Sequence, residues 1–310
     1  MFILYLLLLR GRILIYICLL RVNNDTEIKH CTWYCGTHAR RDFTRIEVLI
    51  LLVWHSITMF LQATKRTVTK NINNVVTSRM LSSQSAEHIK TTLKNATAVC
   101  FDVDSTVLVN EGLDDLAAFL GASEEVAAIT REAMGGNMPF EVALSKRLDI
   151  VKPSKQDIEN FLEAHPPKLT NGIHDFINAL RKNGSLVYLI SGGFEPLILP
   201  AAKILDVPPE NVFANRFIHD DNGIYEKFDE TAFTSSSGGK ARGIAHIQEI
   251  NGGADKCKVV MVGDGANDLE AKPPAEIVIG YGGIVERDIV KEKADYFITD
   301  FQEVIDFLEE

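Results

Sequence analysis

Two aspartates close the apolar run that ends in Phe101-Asp102-Val103-Asp104-Ser105-Thr106. Alternation at a strand end points their side chains to the same side. Two carboxylates that close repel each other unless a cation holds them, and hard oxygen ligands suit Mg²⁺. One carboxylate can then act as a nucleophile and the other as a general acid and base. A second acidic segment, Gly263-Asp264-Gly265-Ala266-Asn267-Asp268, follows another apolar run, Val259 to Val262. Its two carboxylates add metal-binding capacity, and its glycines let the backbone approach a ligand. Each segment alone also describes an ordinary polar turn.

Two further segments suit an anion. Ser191-Gly192-Gly193-Phe194 follows the run Leu186 to Ile190, so a strand is expected to enter a glycine-rich turn there. A hydroxyl and free N–H groups at a helix N-terminus bind phosphate oxygens. In Ser235-Ser236-Ser237-Gly238-Gly239-Lys240, a Gly-Gly-Lys opens a helical pattern, and Lys240 can offer a point charge to a phosphate. The spacing GxxxxGK[ST] is missing, so this is not a P-loop.

The elements that must carry these groups alternate. Apolar, β-branched runs at Ala98–Asp104, Leu186–Ile190, Val259–Val262, Glu276–Gly280 and Tyr296–Thr299 are separated by helical patterns such as Ile173, Phe176, Ile177 and Leu180. Continuous apolar strands suit a parallel sheet buried on both faces, and the alternation predicts an α/β fold. Ligands in such folds bind beyond the carboxyl ends of the strands, which is where the four segments fall. Residues 109–172 break the pattern with helical stretches at Leu113–Leu120, Glu124–Met134, Phe140–Leu148 and Lys155–Ala164. They predict a helical insertion after the first strand. Asn222-Gly223, between Val212–His219 and Ile224–Phe228, predicts a hairpin.

In order, DxDST, SGG, Lys and GDGxND resemble the motif set of the haloacid dehalogenase superfamily of phosphohydrolases. Glu111-Gly112, Ala133-Met134-Gly135-Gly136, Arg147, Val212–Arg216 and Glu230-Thr231 extend the likeness to the branch that acts on phosphoserine. It runs from about residue 91 to the C-terminus. The resemblance implies a Rossmann-like parallel sheet flanked by helices over 91–108 and 173–310, with a small helical cap over 109–172. It implies hydrolysis of O-phospho-L-serine to L-serine and phosphate, the last step of L-serine biosynthesis, with another small phosphomonoester as the alternative. Asp102 would form an aspartyl-phosphate, and Asp104 would protonate the leaving oxygen and then activate water. Mg²⁺ would be held by Asp102, the main chain of Asp104 and Asp264, supported by Asp268. Ser191, Gly192 and Lys240 would grip the phosphoryl group, with Asn267 beside it. Glu111 would take the substrate's ammonium and Arg147 its carboxylate, while Met134, Gly135 and Phe140 line the closed pocket. Homodimers occur in the family.

Charge divides the 310-residue chain, whose net charge is −10. Residues 1–90 hold 12 basic and 5 acidic side chains, net +7, and residues 91–310 hold 20 and 37, net −17. So acidic a body argues against general nucleic-acid binding, which needs a basic surface. Cys100 and Cys257, in or beside apolar runs, read as buried free thiols in a reducing compartment. Cys31 and Cys35 lack a second ligand pair at zinc spacing. Residues 2–20 are apolar apart from Arg10-Gly11-Arg12, and central arginines each cost roughly 2.5–3.5 kcal/mol in a membrane span. From Met59 the chain is basic and rich in Ser and Thr, the composition of an organelle transit peptide. Residues 1–90 therefore read as targeting sequence, as an anchor that would touch a membrane, or as a spurious extension of the reading frame. A cytoplasmic enzyme is expected, or a mitochondrial or plastid one if the stretch after Met59 is a transit peptide.

Overall fold

The computed structural model describes residues 2–9, 12–22, 28–35, 86–134 and 138–310. The chain divides into two compact units, Met1–Thr77 and Ser78–Glu310. In the first, β1 (Phe2–Leu9), β2 (Arg12–Val22) and β3 (Ile28–Cys35) form an antiparallel sheet in that order. The apolar run weighed above as a span is thus extended, which suits its Ile and Tyr content. Among the described residues, no helix is long and apolar enough to cross a membrane. The stretch from Met59 to residue 85 lies outside the described residues.

The second unit opens with helix α1 over residues 86–94, which buries Ile89 and Leu93 in the core, so this unit starts ahead of residue 91. Strand β4 (Ala98–Phe101) follows, every residue buried. Then come four helices, α2 (Gly112–Phe119), α3 (Ser123–Met134), α4 (Phe140–Val151) and α5 (Lys155–Ala164). Ser154 starts α5 with a capping box: its hydroxyl accepts from the Asp157 N–H, and Asp157 accepts from the Ser154 N–H. Helix α6 (Ile173–Lys182) buries Ile173, Phe176, Ile177 and Leu180 on one face, as their spacing predicts.

The chain then alternates as expected: β5 (Leu186–Phe194), α7 (Glu195–Ile204), β6 (Val212–Asn215), and the hairpin β7 (Phe217–His219) with β8 (Tyr225–Phe228). After it come α8 (Gly239–Ile250), β9 (Val259–Gly263), α9 (Ala266–Leu269), β10 (Ile277–Tyr281), α10 (Asp288–Lys293), β11 (Tyr296–Ile298) and α11 (Gln302–Glu309).

Six strands form one parallel sheet in the order β11-β10-β9-β4-β5-β6. This is the Rossmann order, with β4 at the switch point, where neighbouring connections leave in opposite directions and open a crevice. Apolar clusters cover both faces. One joins Phe101, Val260 and Ile279 to Phe176, Ala201 and Phe301, and the other joins Cys100, Ile190 and Met261 to Ile244 and Ile247. A third cluster unites Leu113, Leu116, Leu144, Leu148, Ile158 and Phe161 of the inserted helices with Phe194 and Leu197 of the sheet unit. Cys100 and Cys257 are buried and free, and burial pushes both thiols up in pKa, which leaves them unreactive.

Three local expectations change. Strand β4 ends at Phe101, so Asp102 and Asp104 lie on the loop just beyond it. The stretch Val212–His219 is two strands: Val212–Asn215 joins the parallel sheet, and only Phe217–His219 pairs with β8. Ser191-Gly192-Gly193 is not a turn capping a helix. Strand β5 runs through it to Phe194, and α7 begins at Glu195. Its pairing with β6 skips from Ile190↔Phe213 to Phe194↔Asn215, so the strand bulges at the segment expected to grip phosphate.

Candidate active site

The parallel register sets Phe101 beside Val262 and beside Leu189. The loops after β4, β5 and β9 therefore emerge side by side at one edge of the sheet. The Asp102 N–H extends the ladder to the Val262 carbonyl at 2.8 Å before its side chain turns into the cavity. That cavity is lined by Asp102, Asp104, Glu111, Leu113, Phe140 and Arg147 on one part of its wall. Ser191, Gly192, Gly193, Asp264, Gly265, Asn267 and Arg287 form the rest. Every site residue expected from the sequence and lying among the described side chains either lines this cavity or stands behind it. Met134 ends α3 without a described side chain, and Gly135 lies outside the described residues.

Lys240 and Asp268 stand behind the wall. The ammonium of Lys240, 4 % exposed, lies 2.7 Å from Asp102 Oδ1 and 2.5 Å from Asp268 Oδ1. Its contacts here are thus carboxylates, and it acts on the cavity through Asp102. Burial alone would lower the Lys240 pKa, but the two carboxylates outweigh it and hold the lysine charged. Asp268 is fully buried, and burial followed by the charge of Asp102 pushes its pKa up, against the pull of Lys240. Its other oxygen accepts the Gly265 N–H at 2.8 Å.

Asp268 also explains Gly263. A Cβ there would lie 2.2 Å from the Asp268 carboxyl carbon. Gly263→Ala is expected to displace Asp268 from Lys240 and to cost about 1–3 kcal/mol, the usual range for overpacking. Thermal melting checks it, and an unchanged melting temperature would contradict the packing.

Asp102, Asp264 and Asp268 present carboxylate oxygens within 4.8 Å of one another, all three buried. Thr106 Oγ1 donates to Asp264 at 3.0 Å and orients it. Three buried, all-oxygen carboxylates, with Lys240 and Arg287 as their counter-charges among the described residues, form a donor set that fits a hard divalent cation. Asp104 has a different setting. Its Oδ1 accepts the Gly112 N–H at 2.9 Å, and its Oδ2 lies 3.1 Å from where a Gly193 Cβ would stand. Burial, then the nearby Glu111 charge, push the Asp104 pKa up to about 7, although the Gly112 hydrogen bond opposes them. Neighbouring carboxylates in such unlike settings suit unlike roles.

The insertion supplies the remaining wall. Arg147 of α4 donates to Asp114 at 2.6 Å, while its Nε is buried without a partner among the described residues. Glu111 accepts from Ser105 Oγ at 2.9 Å, and burial raises its pKa. The Phe140 ring lies 3.0 Å from where a Gly192 Cβ would stand, so a side chain there would push the ring back from the strand.

Sequence reasoning missed Arg287. It contacts the Asp264 side chain, donates to the Asp264 carbonyl at 3.2 Å and approaches Glu111 at 3.7 Å. Its position in the loop after β10 carries no motif. The one available signal was a basic residue beyond the carboxyl end of a strand adjacent to β9.

The family of haloacid dehalogenase-like hydrolases matches residues 96–271. A phosphoserine phosphatase of Bos taurus is 48% identical over 216 residues, covering 70% of this chain and 95% of that one. A chloroplastic phosphoserine phosphatase of Arabidopsis thaliana is 46% identical and covers 70% of this chain and 73% of that one. The solved structure of a substrate-bound phosphoserine phosphatase complex is 30% identical with a TM-score of 0.59, covering 68% of this chain and 98% of that one.

Proposed function

The chain belongs to the phosphoserine phosphatases of the haloacid dehalogenase-like hydrolase family, and from that premise we infer that it hydrolyses O-phospho-L-serine to L-serine and phosphate. The observation that carries this reading is the cavity itself. It joins a carboxylate nucleophile backed by a buried lysine to an arginine on α4 and a glutamate immediately before α2. Phosphate-monoester hydrolysis is among the slowest uncatalysed reactions, with enhancements reaching roughly 10²¹-fold, and no single group supplies that.

In the first step, an Asp102 oxygen attacks phosphorus, and the bond from phosphorus to the seryl oxygen breaks. Asp104 gives its proton to that oxygen, so serine leaves neutral at its hydroxyl and Asp102 carries the phosphoryl group. In the second step, Asp104 takes a proton from water. The water oxygen attacks phosphorus, the bond to Asp102 breaks, and phosphate departs. The raised pKa of Asp104 suits a group that must be protonated first and deprotonated later. Ser191 Oγ, on the cavity wall beside Gly192, is placed to donate to the phosphoryl group, and Lys240 holds the Asp102 carboxylate in line. We assign Asp102, the Asp104 main chain and Asp264 to Mg²⁺, with Asp268 in support. Held by these residues, the ion would supply charge neutralisation to the phosphoryl group and to the acidic cluster. Metal removal by chelation is expected to lower turnover by about 100-fold or more, and added Mg²⁺ to restore it. Undiminished turnover after chelation would sink the metal assignment.

Substrate choice lies with the insertion, which we read as a cap over 109–172. The unpartnered Arg147 Nε suits a carboxylate, and Glu111 suits an ammonium. Arg147→Ala is expected to raise KM for phosphoserine by about 10- to 100-fold, the worth of a charge-assisted bond. Turnover of p-nitrophenyl phosphate, which lacks both groups, should stay within about 3-fold on the same reasoning. Wild-type kinetics on phosphoserine, phosphoethanolamine and p-nitrophenyl phosphate test the reading directly. Equal efficiency on all three would favour another small phosphomonoester. We place the enzyme in the cytoplasm, or in an organelle if the stretch after Met59 is a transit peptide, and the mass of the mature N-terminus distinguishes the two.

A further inference from the structure

Asn215 is fully buried at the end of β6, faces no part of the cavity, and is one of the few polar side chains in the core. Its partners explain why it is there. Its Nδ2 donates to the Gly192 carbonyl at 2.8 Å and more weakly to the Thr234 carbonyl at 3.4 Å. Its Oδ1 accepts from the Thr234 hydroxyl at 3.2 Å. Because a carbonyl oxygen can only accept, the amide has one orientation that satisfies Gly192.

The Gly192 carbonyl needs this partner because the β5 bulge removes it from the ladder: between Ile190↔Phe213 and Phe194↔Asn215, no backbone of β6 pairs with it. The same peptide unit carries the Gly193 N–H, which donates to Ser191 Oγ at 2.9 Å. A peptide is planar, so fixing its carbonyl fixes its N–H. A serine oxygen that accepts from that N–H keeps its own proton free to donate elsewhere. Ser191 is 1 % exposed yet lines the cavity, so its free O–H can point into the cavity, where the phosphatase reading puts a phosphoryl oxygen.

Resting on the phosphatase reading above, we propose that Asn215 is a positioning residue for phosphoryl transfer: through the Gly192–Gly193 peptide it aims the Ser191 hydroxyl at the transferring group. Thr234 completes the device by holding the Asn215 amide. It also joins the device to Lys240, because a Cβ on Gly239 would lie 2.7 Å from Thr234 Cα and 2.3 Å from the Phe233 carbonyl oxygen. The helix that bears Lys240 therefore starts directly against the segment that orients Asn215.

The test is a double-mutant cycle in the full chain with Mg²⁺ present, read on p-nitrophenyl phosphate and on phosphoserine, with inorganic phosphate as competitive inhibitor. Asn215→Ala is expected to lower kcat/KM by about 10- to 100-fold on both substrates, less than the roughly 10²–10³-fold for removing a direct donor. Phosphate inhibition should weaken in parallel. In a Ser191→Ala background, Asn215→Ala should cost about 3-fold or less, since coupled residues are not additive. An undiminished second loss would overturn the proposal, because Asn215 would then act without Ser191. Thr234→Val and Thr234→Ser supply the check if Asn215→Ala does not fold. The hydroxyl-free variant should lose activity, and the conservative one should retain it. Equal losses in both would overturn the device. Wild-type enzyme inert on every phosphomonoester would instead overturn the phosphatase reading, before the cycle is run.

Discussion

Asp102→Asn abolishes turnover while leaving the fold intact. The substitution keeps the shape of the side chain and removes its nucleophilic oxygen. Loss of about 10⁴-fold or more in kcat is expected, because covalent catalysis has no second route here. Neighbouring Asp104 cannot take over: its Oδ1 is held by the Gly112 N–H, and it carries the proton for the leaving group. Stability should change little. Lys240 keeps Asp268 at 2.5 Å, so its charge remains paired, and one carboxylate fewer relieves repulsion among Asp102, Asp264 and Asp268. The measurement is rapid-quench labelling with phosphoserine carrying radioactive phosphate, alongside thermal melting. Wild type should show protein-bound label that alkali releases, and the variant none. Residual turnover above about 1% of wild type would identify another nucleophile.

Much of this site was legible because each acidic segment follows a strand that announces itself. Ala98–Phe101 and Val259–Gly263 are continuous apolar runs, and runs of that kind belong to a sheet buried on both faces. Once the sheet is parallel, the residues after such runs share one edge, and the pairing of β4 with β9 brings Asp102 to Asp264. Helix α6 was legible for a similar reason, its buried face having the period of 3.6. Arg287 was not, because its role depends on β10 lying beside β9, a pairing that no local pattern encodes. The split of Val212–His219 also escaped. Strand propensity is alike in both halves, and the partner of each half is decided by the sheet, not by the run. The bulge at Ser191–Gly193 read as a turn because glycine favours both, and only the register shows the strand resuming at Phe194. In the first unit, hydropathy alone could not separate a helix from the strands Phe2–Leu9 and Arg12–Val22, since the apolar stretches on either side of Arg10-Gly11-Arg12 satisfy both periods.

Lys240→Met removes activity and stability together, and a second substitution separates the two losses. Lys240 is the buried cation between Asp102 and Asp268, at 2.7 and 2.5 Å. Deleting one partner of a buried ion pair leaves uncompensated charge and costs about 3–5 kcal/mol. Methionine fills much of the same volume, so the loss is electrostatic and not a cavity effect. Without the ammonium, Asp102 faces Asp264 and Asp268 with no lysine to align its oxygen or to offset charge on an incoming phosphoryl group. Turnover should fall by about 10³-fold or more, the scale of losing a preorganised charge at the reacting centre. Lys240→Arg should not rescue it, because a planar guanidinium cannot replace a compact ammonium between two carboxylates. Adding Asp268→Asn to Lys240→Met removes the stranded charge. The double variant should regain most of the lost melting temperature while remaining inactive. If the double variant also regains turnover, Lys240 serves only to neutralise Asp268. If it regains neither, the instability lies in packing and not in charge. Recovered stability without recovered activity, set against an Asp268→Asn single variant that keeps more turnover than the double, assigns the lysine to catalysis through Asp102.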